Sequence, residues 1–238
     1  IIIGIAVVVI IVSVVITPSF LTPDNIRAIL RNASIVGIVA VAMTPVTLSG
    51  NFVSLAISQS AMLAMVSYVA LLGAGWHQAP AILVVIVGLI IVGVIQGFVV
   101  AAGLNPIITT LAAGAIIFGV VSEMTGGWIV LAGDNFVAWG SSNVVGIPIQ
   151  VLIFFVFTVL VTLLMSRTVV GRETMLVGAN RATAQISGIS FTRVTVIAFV
   201  IFSVGLAIAG VLNGAAFGQA TAVSFPALTI DVIAALLV

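Results

Sequence analysis

The sequence lacks more than it holds. Among 238 residues there is no cysteine, one histidine, and 5% charged side chains against 63% hydrophobic ones. Without cysteine there can be no disulfide framework, thiolate metal site or cysteine nucleophile. A lone His77 excludes a histidine-cluster metal centre. Soluble domains carry about 25% charged residues, so this chain cannot cover a water-exposed surface of its size. Lysine is absent, and six arginines against five acids leave a net charge of +1. That balance excludes the basic patch a nucleic-acid partner needs. No phosphate-binding loop is present, because the glycines around Gly171–Gly178 lack the Gly-Lys-Ser/Thr ending. No close carboxylate pair or Ser/His/Asp set supports catalysis, and the chain is read as no enzyme.

What is present is apolar length. A membrane-crossing helix needs about 20 mostly apolar residues. Candidate spans run over 1–17, 33–49, 52–75, 79–102, 105–123, 147–166, 193–213 and 227–238. They are apolar on all sides and do not alternate, which selects helices over a transmembrane barrel. The fold class is therefore all-α, a polytopic transmembrane bundle forming one domain over 1–238. The chain opens in an apolar run without a methionine and ends in one without a polar flank, which reads as part of a longer protein. Small residues at four-residue spacing, Gly93/Gly97/Ala101 and Gly210/Gly214/Gly218, mark close helix contacts.

Arginine sets the expected orientation. Arg167, Arg172, Arg181 and Arg193 lie in or beside the loop 167–192. The positive-inside rule puts that loop in the cytoplasm, and six preceding spans put the N-terminus there too. Segments 18–32, 124–146 and 214–226 then share the outer side, and the 103–105 turn lies inside. Arg27 and Arg31 fall on the wrong side, with Asp24 offsetting one of them. Thr22, Pro23 and Asp24 suit a helix start. Residues 22–32 read either as a short interfacial helix in the headgroup plane or as a connecting loop.

Two polar interruptions are candidate functional sites. The run MTPVTLSGN at 43–51 breaks an apolar stretch, with Pro45 removing a donor and Gly50-Asn51 favouring a turn. Irregular backbone at membrane depth lines cavities or is buried in protein. Ser49, Gly50, Asn51, Phe52 and Ser54 are accordingly candidates for a solute pathway, with uncharged groups suited to a polar neutral solute. An ordinary turn between spans is equally compatible. In the arginine loop, residues 180–187 can form two helical turns with Gly188 as a left-handed stop. Such a short, partly apolar helix is a natural peg for a soluble partner, the alternative being a plain surface loop. The acids Glu123, Asp134, Glu173 and Asp231 sit at span edges, which counts against ion coupling.

The arginine loop resembles the permeases of ribose-type ATP-binding-cassette (ABC) importers, a group that includes autoinducer-2, nucleoside and branched-chain amino-acid permeases. Gly171, Arg172, Gly178, Asn180, Ala184, Ser187, Gly188 and Ile189 match the pattern G-R-x-x-x-A-x-G-x-N-x-x-A-A-x-x-S-G-I, with Thr183 replacing one alanine. NPIITTL at 105–111, GLAIAG at 205–210 and DVIAA at 231–235 resemble further family stretches. The resemblance implies about ten spans in a full-length chain and a multi-pass protein of the bacterial inner membrane, in contact with lipid. It implies a second permease copy or paralogue, two cytoplasmic ATPase subunits and a periplasmic solute-binding protein. ATP and magnesium would be bound by the ATPase, leaving no cofactor in this chain. Gly178, Asn180, Arg181, Ala184, Ser187, Gly188 and Ile189 would form the coupling loop, and alternating access would move the solute. The family's ribose-like members carry T-G-G-I-D-L-S-V-G at the break, where this chain has SGNFVSLA and no Asp. The expected cargo is a monosaccharide such as ribose or a related sugar. A branched-chain amino acid or nucleoside, or an ion-coupled secondary transporter, are the alternatives.

Overall fold

The computed structural model describes residues 12–17, 20–134 and 136–237. Nine helices are defined within that range: α1 Pro23–Leu48, α2 Ile57–Gly73, α3 Gln78–Ala101, α4 Pro106–Thr125, α5 Ile149–Arg167, α6 Val169–Ala179, α7 Arg181–Ile186, α8 Phe191–Phe217 and α9 Leu228–Leu237. Residues 12–16 are also helical, and the rest of the first expected span, 1–11, lies outside the described residues. Helices α1, α3, α4, α5 and α8 are long and apolar enough to cross a membrane, while α2 and α9 are shorter apolar helices. The protein is an all-α polytopic membrane bundle.

Helix α8 is its axis. Two thirds of its most apolar stretch is buried, against about a fifth for α5, and it packs on α1, α2 and α3. Water does not drive such contacts between lipid-embedded helices; close van der Waals fit does. Glycine supplies the fit. A Cβ at Gly97 would stand 2.8 Å from Val196 Cα, and one at Gly210 would stand 2.5 Å from the Ala61 carbonyl oxygen. The expected close contacts at Gly93/Gly97 and Gly210/Gly214 are thus α3–α8 and α8–α2 seams. Gly218 has a different role: it caps α8 with φ +63°.

Three expectations need correction. The proposed interfacial helix and the second span are one continuous helix of 26 residues, α1, about 39 Å long at 1.5 Å per residue. Pro45 does not interrupt it. Pro45 and Val46 are buried in the bundle, where no water would satisfy backbone groups freed by a break, so the helix continues through the proline. It ends instead at Gly50 (φ +77°), where Gly50 N donates to the Thr47 carbonyl and Asn51 N to the Val46 carbonyl. This is a Schellman cap. Consequently α2 starts at Ile57 rather than 52. Finally, the arginine loop 167–192 contains an additional helix, α6.

The connections sort to two ends. At one, β1 (Val130–Leu131) pairs antiparallel with β4 (Gln219–Ala220). The hairpin β2 (Asn143–Val144) and β3 (Ile147–Pro148) lies in the same connection. Four helices pin that connection: Arg31 donates to Ser141 O at 2.9 Å, Trp139 Nε1 to Tyr68 OH at 3.2 Å, Gln78 Nε2 to Val137 O at 3.0 Å, and Gln150 Nε2 to Gly140 O. The start of α1, the 124–148 connection and 218–227 therefore share one end. At the other end Ser49–Asn51, the 103–106 turn, α6 and the start of α7 surround one cavity. The pairing of ends agrees with the parity expected from the spans. The two arginines on the end opposite the arginine loop have partners there. Arg27 pairs with Asp24 at 3.2 Å, and Arg31 gives one N–H to the Ser141 carbonyl.

Candidate functional site

The arginine-loop end brings the two sets of candidate residues together. Ser49, Gly50 and Asn51 line a cavity of about 520 Å³ whose opposite wall is Gly178, Asn180 and Arg181, with the 103–106 turn between them. The contact is backbone on backbone: a Cβ at Gly178 would overlap the Leu48 carbonyl, and one at Gly50 would meet Gly178 Cα at 3.4 Å. Gly178 leaves the room this approach needs, whereas Gly50 is required by its φ of +77° rather than by space.

Within the break, polar groups hold the loop. Ser49 Oγ donates to Val46 O at 2.7 Å. Asn51 Nδ2 donates to Ser49 Oγ at 2.8 Å and reaches Thr195 Oγ1 on α8 at 3.4 Å. Leu55 N donates to Thr110 Oγ1 on α4 at 3.1 Å, and Ala56 N to Ser54 Oγ at 3.3 Å. Ser54 is fully buried and Phe52 is 58% exposed; neither lines the cavity. Of the five residues expected on a pathway, three line the cavity.

The short helix α7 is built as its sequence indicates. Asn180 is its N-cap and accepts from Thr183 N at 3.1 Å. Gly188 (φ +80°) ends it, with Gly188 N on Gln185 O and Ile189 N on Ala184 O, a second Schellman cap. Ser187 Oγ returns to Thr183 O at 3.0 Å. Ala184 is buried against Val177, Phe191 and Val194, with Ile189 packed on that cluster. The Arg181 guanidinium stands 3.4 Å over the centroid of Phe191, a cation–π contact that orients it between the cavity and a second recess bounded by Gly188. The far side of α7 is open: Ile186 is 89% exposed.

Sequence reading missed features of the bundle interior. The starts of α2 and α9 meet through Ser58 and Thr229: each backbone N–H donates to the other's hydroxyl at 3.1 Å, and the hydroxyls are 2.8 Å apart. Two helix starts thus cap each other, satisfying donors a helix start leaves open. At the β1/β4 end, three recesses of about 190–250 Å³ share Asn213 of α8. The signal for the second was the single polar residue Asn213 inside an apolar run, and for the first the short polar group Ser58-Gln59-Ser60.

This bundle, with glycine-packed apolar helices and a short capped helix at its arginine-rich end, is the architecture of a multi-pass membrane protein. The permease family described as "Branched-chain amino acid transport system / permease component" matches residues 25–238, and the chain belongs to it. The ribose import permease protein RbsC of Haemophilus influenzae is 30% identical over 94% of this chain and 71% of that protein. RbsC of Bacillus subtilis is 31% identical over 98% of this chain and 73% of its own length. The L-arabinose transport system permease protein AraH of Escherichia coli is 32% identical over 50% of this chain and 37% of its own. No solved structure matches the chain.

Proposed function

We propose that this chain is the membrane-spanning subunit of an ABC importer for a monosaccharide, working by alternating access with ATPase subunits, a solute-binding protein and a second permease. The observation that carries this is α7. It is a doubly capped helix anchored by buried Ala184, with an exposed Ile186 at the arginine-rich end. Such a helix can enter a groove on a soluble partner and transmit displacement, because its base is fixed and its outer face is free. In this reading the arginine end is cytoplasmic, the β1/β4 end faces the solute-binding protein, and ATP and magnesium are held by the ATPase. Gly178, Asn180, Arg181, Ala184, Ser187, Gly188 and Ile189 serve coupling, and Ser49, Gly50 and Asn51 border the inner mouth of the pathway. The sugar cargo follows the names of the relatives above.

The test is reconstitution of the full chain with its ATPase and binding protein. Arg181→Ala and Gly188→Ala should lower solute-stimulated ATP hydrolysis while membrane insertion stays intact. Undiminished stimulation in both would refute the assignment. Because the family description names branched-chain amino acids, L-leucine belongs beside D-ribose and L-arabinose in the uptake panel. ATP-driven uptake of leucine alone would replace the sugar reading.

A further inference from the structure

The recesses at the β1/β4 end contain polar groups that the fold leaves unanswered. Gln150 is 1% exposed. Its Nε2 is used on Gly140 O, yet its Oε1 is buried without a hydrogen-bond partner among the described residues, as is Arg31 Nε. Both side chains line the same recess with Asn32 and Asn213. A buried acceptor and a buried donor left open each cost about 1–3 kcal/mol, and a small rotation of either side chain toward an occupant of the recess would answer it. A hydroxyl answers both: it has one O–H to give to Gln150 and lone pairs to accept from Arg31.

The neighbouring recess extends the same chemistry. Asn32 and Asn213 continue into it and are joined by Ser224 and the carboxylate of Asp231. Amides, a guanidinium, a hydroxyl and a carboxylate around small adjoining volumes suit several hydroxyls presented together. Each volume is below the roughly 300–1,000 Å³ of sites for drug-sized ligands, which fits a solute of pentose size. The position also fits. Asn213 is one helical turn from the end of α8, about 6 Å, so the site is reached from the end opposite the arginine loop.

We propose that the recess around Arg31, Asn32, Gln150, Asn213, Ser224 and Asp231 is a binding site for a small polyhydroxylated solute entering from the outer side. This rests on the importer reading and adds the place where the permease first holds its cargo.

The chain contains no cysteine, which makes a protection assay direct. Asn213→Cys, and separately Ser224→Cys, is labelled with a water-soluble maleimide in the full chain purified in detergent, where both ends meet the reagent. Ser187→Cys, at the arginine end, is the control. D-Ribose or L-arabinose should slow labelling of the first two, about tenfold at a sugar concentration tenfold above its dissociation constant, and leave Ser187→Cys unaffected. Unchanged labelling by both sugars, in a permease whose wild type imports one of them, would mean the open groups hold water only. That result overturns this site and leaves the importer reading standing. Protection by L-leucine but neither sugar overturns the hydroxyl chemistry, and equal slowing of the control overturns the location. A wild type that, with its ATPase and binding protein, imports neither sugar removes the sugar reading and this site with it. Using two separate cysteine positions keeps the test decisive where one variant fails to fold.

Discussion

The same substitution, glycine to alanine, should change sign between two helices of this protein. At Gly119 in α4 an added Cβ has nothing within 4 Å. The change there removes only the conformational freedom of glycine and should stabilise by about 0.5–1 kcal/mol. At Gly178, near the end of α6, the added Cβ would overlap the Leu48 carbonyl oxygen, stand 3.0 Å from its carbon and lie 3.3 Å from Gly50 N. None of these atoms is the yielding end of a flexible side chain. They belong to the Schellman cap that ends α1, so relief requires α6 to move from α1 or the cap to open. Overpacking of this kind costs about 1–3 kcal/mol, against the same propensity gain. The propensity gain cancels between the two variants, which should therefore differ by about 1–3 kcal/mol. Thermal or denaturant unfolding of the purified protein in one detergent measures the difference. Hydrogen exchange locates it, with faster exchange at 48–56 and 169–189 in Gly178→Ala and none at those segments in Gly119→Ala. If Gly178→Ala is as stable as Gly119→Ala and its exchange is unchanged, the close approach of α1 and α6 is wrong. The shared wall of the cavity between the break and the arginine loop would fall with it.

Three further outcomes follow from the caps and turns. Asn180→Ala removes the Thr183 N–H acceptor at the start of α7 and should cost about 0.5–2 kcal/mol; since a six-residue helix cannot hold itself, exchange should rise across 181–186 while α8 is unaffected. Ser58→Ala and Thr229→Val each leave the partner's backbone N–H open, and a double-mutant cycle should return a coupling of about 0.5–3 kcal/mol; a value of zero would show that the two helix starts do not cap each other. Val145 sits at φ +52° in the two-residue hairpin turn with Gly146, where a β-branched side chain costs about 1–2 kcal/mol; Val145→Asn should raise the unfolding temperature, and a lowered one would contradict the turn geometry.

Much of this architecture could be read from the residues because the bilayer leaves few choices. Apolar length forced helices, parity sorted the loops to two ends, and Gly188 announced the end of α7 by residue type, while Asn180, expected as the first residue of that helix, is its N-cap. The errors share one cause. Pro45 and Gly50 were both read as breaks, since each breaks helices in water. In the bundle only Gly50 does so, because its positive φ closes a Schellman cap whereas a buried proline leaves the helix no better alternative. Likewise 22–32 looked like a separate amphipathic piece because Arg27 and Arg31 seemed to need headgroups. Instead Asp24 pairs with Arg27 and the Ser141 carbonyl takes one N–H of Arg31, both along an unbroken α1.

What composition concealed was the meaning of solitary polar residues. Ser58, Gln150, Asn213 and Thr229 form no motif, and their partners are distant in sequence. Gln150 is ten residues from Gly140, but Ser58 and Thr229 are 171 apart. In lipid a polar side chain inside a span is costly unless it is answered by another group, so each such residue implies a partner that periodicity cannot name. The fold divides them into two kinds. Ser58 and Thr229 answer each other and lock two helix starts. Gln150 and Arg31 retain an open acceptor and an open donor in one recess. The first pair needs nothing further to be stable, whereas the second would be completed by the solute proposed above, and the protection assay decides whether that difference separates structural polarity from binding polarity within this bundle.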